Sequence, residues 1–357
     1  MAKLAISNRK LIAGAMLAIL ASSAILIGIK TMITDEPQIP EEPLDNTGPT
    51  EPSEETGAAN ETEAREPQNK EGPPVPKYIS PRIDLLNRNS ENWFTVIHIS
   101  DTQKLSDYDT WGAFTEWIAS VKTALNVKMI IHTGDIVEHC YDTTEWERAN
   151  ASMGVLLEAG IPYTWCTGNH DVNLTTFSYI GSNYLAFNTS TFETQDYWLD
   201  SYNDRNTAVT WTYGDYKFIV INLEWHANST AMTWFIDILD TNKESNVIVA
   251  THSYINTTGG YDSRLSGDTW ELALKGILDD HSNVMFTLNG HHHGVYRTTV
   301  NDREQILFNY QTTDARIARI MTFDITSSTV YVWTYLQYCS GWDLSSENAF
   351  SFNVELI

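Results

Sequence analysis

The sequence predicts an α/β domain over residues 78–357, and two patterns indicate this fold class. Up to about residue 290, short apolar runs typical of buried strands alternate with segments of helical period. After Gly290 the apolar runs follow one another without helices between them. We therefore expect parallel strands joined by right-handed helical crossovers first, and then a second, mostly antiparallel sheet.

The N-terminal part of the chain has the features of a membrane anchor. Residues 11–29 form an uncharged apolar run of 19 residues, long enough to span a bilayer as a helix. Lys3, Arg9 and Lys10 precede it, which predicts a cytoplasmic segment at residues 1–10 and export of the rest. We expect a single-pass transmembrane signal-anchor in the cell membrane, with the domain extracytoplasmic. A cleavable signal peptide, with "ASSA" as a cleavage region, is the alternative and would give a secreted protein.

A linker separates this run from the domain. Residues 31–77 contain nine of the 11 prolines in the chain, and 12 acidic residues against three basic ones. With few large apolar side chains, such a segment is predicted to be disordered and extended. The net charge of −24 argues against a nucleic-acid polymer as partner. Phosphate-bearing small substrates remain compatible, because bound cations can reverse the charge locally. No pattern indicates an oligomeric state.

The domain contains three cysteines, Cys140, Cys166 and Cys339. Three are too few for a disulfide framework, so the alternatives are three free thiols or one bridge.

The elements of the domain follow from these apolar patterns. Strands are predicted at 93–100, 128–133, 163–166, 217–223, 246–252 and 283–290, and later at 294–300, 305–311, 317–325, 329–336 and 349–356. Helices are predicted at 109–125, 144–159, 230–241 and 268–281. For the second helix, Thr144 and Glu147 suggest a capping box, and Gly160 a stop.

Polar side chains follow five of the predicted strands, where each strand ends. Since the carboxyl ends of neighbouring strands form one crevice in α/β sheets, we expect these side chains to meet. Oxygen and nitrogen donors without thiolate suit Mn, Fe, Co or Zn. Seven donors are too many for one catalytic ion with open positions, and enough for two ions sharing a carboxylate. The candidate metal ligands are Asp101, Gln103, Asp135, Asn169, His252, His291 and His293.

The ordered set resembles the calcineurin-like metallophosphoesterase superfamily. The pattern of that superfamily is D-x-H, G-D-x-x-D, G-N-H-D/E, H and G-H-x-H. Here it occurs as "DTQ", "GDIVE", "GNHD", "TH" and "GHHH", and the resemblance covers roughly residues 92–335. It implies a four-layer αββα sandwich of two mixed sheets flanked by helices, here preceded by the transmembrane helix and the disordered acidic linker.

The resemblance also implies a role for each residue. Two divalent ions would share Asp135, and a hydroxide bridging them would attack phosphorus. His170 would be the general acid and Asn169 would neutralise phosphoryl charge. The first ion would be held by Asp101, Gln103, Asp135 and His293, and the second by Asp135, Asn169, His252 and His291.

Two residues depart from the superfamily pattern. Gln103 replaces a histidine, and because an amide oxygen is a harder, weaker ligand, this favours Mn over Fe, Zn or Co. Glu138 replaces the aspartate that orients the catalytic histidine, and its carboxylate lies one methylene further out.

The function implied is hydrolysis of a small-molecule phosphoester or a lipid headgroup, with monoester and diester substrates both open. A stalked cell-surface adhesion or sensing domain that keeps a structural metal site is the alternative. His98, His132 and His292 are interpreted as structural histidines.

Overall fold

The computed structural model describes residues 91–261, 270–311 and 316–357. The predicted cytoplasmic segment 1–10, anchor 11–29, linker 31–77 and domain start 78–90 lie outside these ranges. Within them, none of the helices has the length and apolar character needed to cross a bilayer.

The first sheet has seven strands in the order β13-β12-β11-β1-β2-β3, with β14 also paired to β12. Strands β1, β2 and β3 are parallel, and β11 runs antiparallel to β1, so the sheet is mixed. Its strands are β1 (Trp93–Ile99), β2 (Val127–His132), β3 (Tyr163–Trp165), β11 (Ile317–Asp324), β12 (Thr329–Leu336), β13 (Gly341–Asp343) and β14 (Ala349–Asn353).

The second sheet also has seven strands, in the order β4-β5-β6-β7-β8-β10-β9. Strands β6, β7, β8 and β10 are parallel, and the outer strands β5, β4 and β9 are antiparallel. Its strands are β4 (Trp198–Tyr202), β5 (Asn206–Tyr213), β6 (Tyr216–Leu223), β7 (Asn246–Thr251), β8 (Val284–Asn289), β9 (Gly294–Val300) and β10 (Arg303–Asn309).

The expectation of two mixed sheets is confirmed, but that of a separate antiparallel sheet after Gly290 is wrong. Strands β9 and β10 extend the second sheet, whereas β11 to β14 extend the first. A buried apolar run shows that a strand is covered on both faces and does not specify its partner. The hairpin of β4 and β5 was not predicted, because β4 is half-exposed and lacks a continuous apolar run.

Within the described ranges, five α-helices flank the sheets: α1 (Gln103–Asp107), α2 (Trp111–Val121), α3 (Thr143–Glu158), α4 (Ser229–Thr241) and α5 (Trp270–Asp279). Short 3₁₀ turns lie at Gly181–Asn183, Leu185–Phe187, Thr189–Thr191 and Gln337–Cys339. Four confirm the predicted helices, and the single-turn α1 was not predicted. The predicted capping box at Thr144 is wrong, because Asp142 caps α3 by accepting from the backbone nitrogens of Thr144 and Glu145. The stop at Gly160 is confirmed, with φ of +60°.

Three hydrophobic clusters give the order of the layers. Trp117 and Trp146 of α2 and α3 pack on one face of the first sheet. Phe94 and Phe323 fill the space between the two sheets, with their rings stacked at 4.6 Å. Phe235 of α4 packs in the third cluster, on the outer face of the second sheet. The layers are therefore helices, sheet, sheet and helices. Each buried aromatic side chain contributes roughly 1.5–3 kcal/mol of transfer free energy.

Candidate metal centre

The loops that follow the predicted strands meet at one edge of the two sheets. The backbone nitrogen of Asp101 donates to the carbonyl of Gly134 at 3.0 Å, which joins the loops after β1 and β2. The backbone nitrogen of Gly290 donates to the carbonyl of His252 at 3.0 Å, which joins the loops after β7 and β8. The sandwich therefore brings polar strand ends from both sheets together, as expected.

Four predicted ligands of the second metal form a tight group. His252 Nε2 lies 3.2 Å from Asp135 Oδ2, 3.1 Å from His291 Nδ1 and 3.2 Å from Asn169 Oδ1. Among the described residues, Asp135, His252 and His291 are the acidic, histidine or cysteine side chains that converge closely enough to hold an ion. Their spacing is that of neighbouring donor atoms about one divalent ion at roughly 2.1 Å from each.

Hydrogen bonds to the surrounding backbone fix the orientation of the His252 ring and the Asp135 carboxylate. His252 Nδ1 donates to the carbonyl of Thr133 at 2.8 Å, which leaves Nε2 facing Asp135. The backbone nitrogen of His170 donates to Asp135 Oδ1 at 3.0 Å. A Cβ atom at Gly168 would overlap Asp135 Oδ1, so only glycine allows this approach. The carboxylate and the ring are therefore both held in place before any ion binds.

The predicted ligands of the first metal are less closely assembled. Asp101 accepts from Ser100 Oγ at 2.5 Å, from Asn309 Nδ2 at 2.7 Å and from the backbone nitrogen of His291 at 3.2 Å. Gln103 Nε2 donates to Asp135 Oδ2 at 3.1 Å. Thus Asp101 and Gln103 lie beside the tight group. Asp101 contacts His291, and Gln103 contacts Asp135.

His293 is the predicted ligand that stays apart. Its exposed ring donates from Nε2 to Gln311 Oε1 at 2.7 Å, since a carbonyl oxygen can only accept. It lines the same cleft as Asp135 and His291 but lies outside the tight group.

The donor set fits divalent cations. Gln103 Oε1 is buried and has no hydrogen-bond partner within the described parts of the chain, which is costly unless a cation uses the oxygen. The other donors are carboxylate, amide and imidazole groups, as hard-to-borderline divalent metals prefer.

Charge coupling in the group favours the exchange of a proton for a metal. Burial works to lower the pKa of His252, but the Asp135 carboxylate outweighs it and raises the pKa to about 9. Burial works to raise the pKa of Asp135, and His252 outweighs it so that the pKa is lowered. Burial and the nearby Asp135 charge raise the pKa of Asp101 to about 7. Metal-free His252 thus carries a proton that a bound ion would displace.

His170 lies on the wall of a cleft of about 500 Å³. Its Nδ1 donates to the backbone carbonyl of Glu138 at 2.8 Å, while the Glu138 carboxylate lies 3.9 Å from the same nitrogen. That carboxylate pairs instead with Lys104 Nζ at 2.8 Å. Burial works to lower the pKa of His170, but Asp135 and the Glu138 carbonyl raise it overall. The cleft is lined by Asp135, Asn169, His170, His291, His293 and Gln311.

Sequence reasoning missed the residues that β10 contributes. Asn309 donates from Nδ2 to Asp101 Oδ1 and to the carbonyl of His291, and its Oδ1 accepts from the backbone nitrogen of Gln311. It therefore ties three parts of the site together. Strand β10 is parallel to β8 and ends in "NYQ", much as β1 ends in "DTQ", so the rule used for the other strands could have found it.

The fold and the site together define an α/β sandwich with a group of side chains that could hold a metal ion and a histidine at the wall of its cleft. The family model for calcineurin-like phosphoesterases matches residues 94–295. The chain belongs to the calcineurin-like phosphoesterase family.

Two known proteins illustrate the range of similarity. The uncharacterized protein YvnB of Bacillus subtilis (strain 168) is 29% identical over 266 residues, which are 70% of this chain. The chain spans about a fifth (20%) of the length of that curated relative. Purple acid phosphatase PPD1 from yellow lupin (Lupinus luteus) seeds matches with a TM-score of 0.51 and 14% identity, over 73% of this chain and 54% of that one. This structural similarity shows the shared fold.

Proposed function

We propose that this chain hydrolyses phosphoester bonds at a centre of two divalent ions. The convergence of Asp135, Asn169, His252 and His291 on one point, beside His170, is the observation that carries the proposal. Asp101, Gln103, Asp135 and His293 would hold the first ion, and Mn is the metal favoured by the amide donor of Gln103.

Bound ions would supply an activated water at neutral pH and would neutralise the phosphoryl oxygens. The residues of the chain then orient the reaction. Asn169 lines the cleft beside His252, where its amide can donate to a phosphoryl oxygen. His170 Nδ1 donates a hydrogen bond to the backbone carbonyl of Glu138. Nε2 is therefore the ring nitrogen that can protonate the leaving oxygen. The transition state needs no covalent link to the protein.

The substrate proposed is a small-molecule phosphoester or a lipid headgroup. The groups in the cleft act on the phosphoryl centre, which monoesters and diesters share. The net charge of −24 repels a polyanionic nucleic acid, while a compact phosphoester can be drawn in by the local cations.

The proposal also places the reaction outside the cytoplasm. It rests on the apolar run at 11–29 and the lysines and arginine before it. Protease added to intact cells should release the domain by cutting within residues 31–77. A domain that stays protected until the cells are lysed would contradict this topology.

Turnover by the full-length protein with Mn²⁺ alone, on nitrophenyl phosphate and bis-nitrophenyl phosphate, tests the proposed activity. We expect hydrolysis of at least one ester, abolished by a chelator and restored by Mn²⁺. A protein that binds two ions but turns over neither these esters nor alkyl phosphoesters would support the adhesion or sensing alternative.

A further inference from the structure

Two neighbouring strands end with the same spacing of histidine and aspartate. His98 of β1 lies three residues before Asp101, and His132 of β2 lies three residues before Asp135. Both histidine side chains are fully buried. They lie on opposite faces of the first sheet, since His98 contacts the Phe308 ring of the second sheet and His132 contacts Trp111 of α2.

His98 begins a chain of hydrogen bonds that ends at Asp101. Ser100 Oγ donates to Asp101 Oδ2 at 2.5 Å. Thr133 Oγ1 in turn donates to Ser100 Oγ at 2.6 Å. With its own hydrogen so used, Thr133 accepts from His98 Nε2 at 2.9 Å. The hydrogen bonds thus connect His98 of β1 to Thr133 in the loop after β2, and from there to the Asp101 carboxylate in the loop after β1.

His132 makes the reciprocal connection. The backbone nitrogen of Gly134 donates to His132 Nδ1 at 3.1 Å, so the ring hydrogen is on Nε2. Nε2 donates to Thr102 Oγ1 at 2.8 Å, which lies in the loop after β1. The hydroxyl of Thr102 is left to donate to the carbonyl of Ile136 at 3.4 Å. This chain therefore ends beside Asp135, in the loop after β2.

Both rings are neutral, which makes the direction of each bond definite. Burial, and then the charge of Arg319, lowers the pKa of His98 well below its usual range. Burial lowers the pKa of His132 to about 3. A neutral ring has a single N–H. In both histidines this N–H is on Nε2 and donates to a threonine in the loop after the neighbouring strand, Thr133 for His98 and Thr102 for His132.

We propose that His98 and His132, through Thr133 and Thr102, are positioning residues that fix the separation of the two metal-binding carboxylates. These two crossed His–Thr braces tie the loop of Asp101 to the loop of Asp135 on both faces of the sheet. The inference rests on the proposed metal centre and assigns a role to four residues outside its ligand set. Groups that orient metal ligands typically contribute roughly 10–100-fold to metal affinity.

The braces are tested by titrating the metal-free full-length protein with Mn²⁺ and measuring the binding by calorimetry. Thr133→Val and Thr102→Val each remove one hydroxyl at nearly constant volume. We expect each to weaken Mn²⁺ binding by roughly 10–100-fold. Thr133→Ser keeps the hydroxyl and should bind Mn²⁺ within about threefold of the unmodified protein. Ser100→Ala removes only the last link to Asp101, so it tests the first brace even where Thr133→Val does not fold.

Thr95→Val is the matched control. Thr95 is buried near the start of β1, six residues before Asp101, and its hydroxyl shares a 3.1 Å hydrogen bond with Thr322 of β11 and none with the loops that carry Asp101 and Asp135. It should lower the melting temperature of the metal-free protein without changing Mn²⁺ affinity. If the brace variants behave like Thr95→Val, the braces are merely structural and this inference fails while the proposed function stands. If the unmodified protein binds no Mn²⁺, the metal centre itself is refuted, and with it both proposals.

Discussion

His170 donates its Nδ1 hydrogen to the backbone carbonyl of Glu138 at 2.8 Å, whereas the Glu138 carboxylate lies 3.9 Å from that nitrogen. The residue is the one expected from the sequence, but the accepting atom is different. Lys104 Nζ holds the carboxylate at 2.8 Å on its other side. The longer glutamate side chain reaches this lysine, and the backbone orients the ring. The orientation of His170 therefore does not depend on the charge of Glu138.

Glu138→Gln should accordingly have a small effect. The carbonyl that accepts from His170 remains, and the carboxylate that is changed is paired with Lys104 and is not hydrogen-bonded to the ring. We expect the rate on an alkyl phosphoester to fall less than about tenfold, against roughly 10²–10⁴-fold for His170→Ala if the ring is the general acid. The same His170→Ala protein should retain more of its activity on nitrophenyl esters, whose leaving group needs no proton. Comparable losses in the two variants on alkyl esters would show that the carboxylate is essential.

Asp135→Asn should be the most damaging ligand substitution. Asp135 contacts Gln103 and His252, which belong to the two different predicted ion sites, so neutralising it weakens both. Elemental analysis should give close to two ions per chain in the active protein and markedly fewer in this variant. Gln103→Ala removes one neutral donor, and we expect a milder loss that added Mn²⁺ restores. A fully active preparation with well under two ions per chain would contradict the two-ion centre.

The sequence predicted the contents of the site better than its packing. Strand ends such as "GNHD" and "GHHH" are local signals, because each places polar donors directly after a buried run. The contribution of β10 was missed since "NYQ" contains no histidine or carboxylate. The partner of the Glu138 carboxylate depends on where α1 places Lys104, and that short helix has no periodic pattern of its own. Likewise, which sheet each of the later strands joins is set by tertiary pairing that an apolar run does not specify.

Asp171 is the residue whose loss should most affect the stability of the site loops. Its carboxylate is buried and accepts from the backbone nitrogens of Ile136 at 2.7 Å, Val137 at 3.1 Å and Gly168 at 2.7 Å. In Asp171→Asn, an amide NH₂ group would face at least one of these donors. We expect the free energy of unfolding to fall by about 2–4 kcal/mol.

Urea unfolding in the presence of a chelator measures this loss without a contribution from bound metal. Asp142→Asn is the control, because Asp142 is a partly exposed N-cap and asparagine caps a helix about as well. That variant should stay within about 0.5 kcal/mol of the unmodified protein. An equally small effect at Asp171 would show that the loops do not depend on its carboxylate.

Metal binding should release a proton, and the number released should fall as the pH approaches 9. In the metal-free protein, Asp135 raises the pKa of His252 to about 9, while Asp101 has a pKa of about 7. At about pH 8, Asp101 is mostly ionised and His252 is mostly protonated, so binding should expel about one proton per chain. At about pH 9, half of the His252 rings are already neutral, and the release should drop to about half.

Because protons compete with the ion at His252, the apparent affinity should rise with pH up to about 9 and then level off. Calorimetry in two buffers with different ionisation enthalpies gives the proton count at each pH. His281→Asn is the control, since His281 lies 3.6 Å from Asp240 and is not among the residues that line the cleft. A proton release close to zero at both pH values would mean that His252 is neutral before the metal arrives, and that Asp135 stabilises the empty site in some other way.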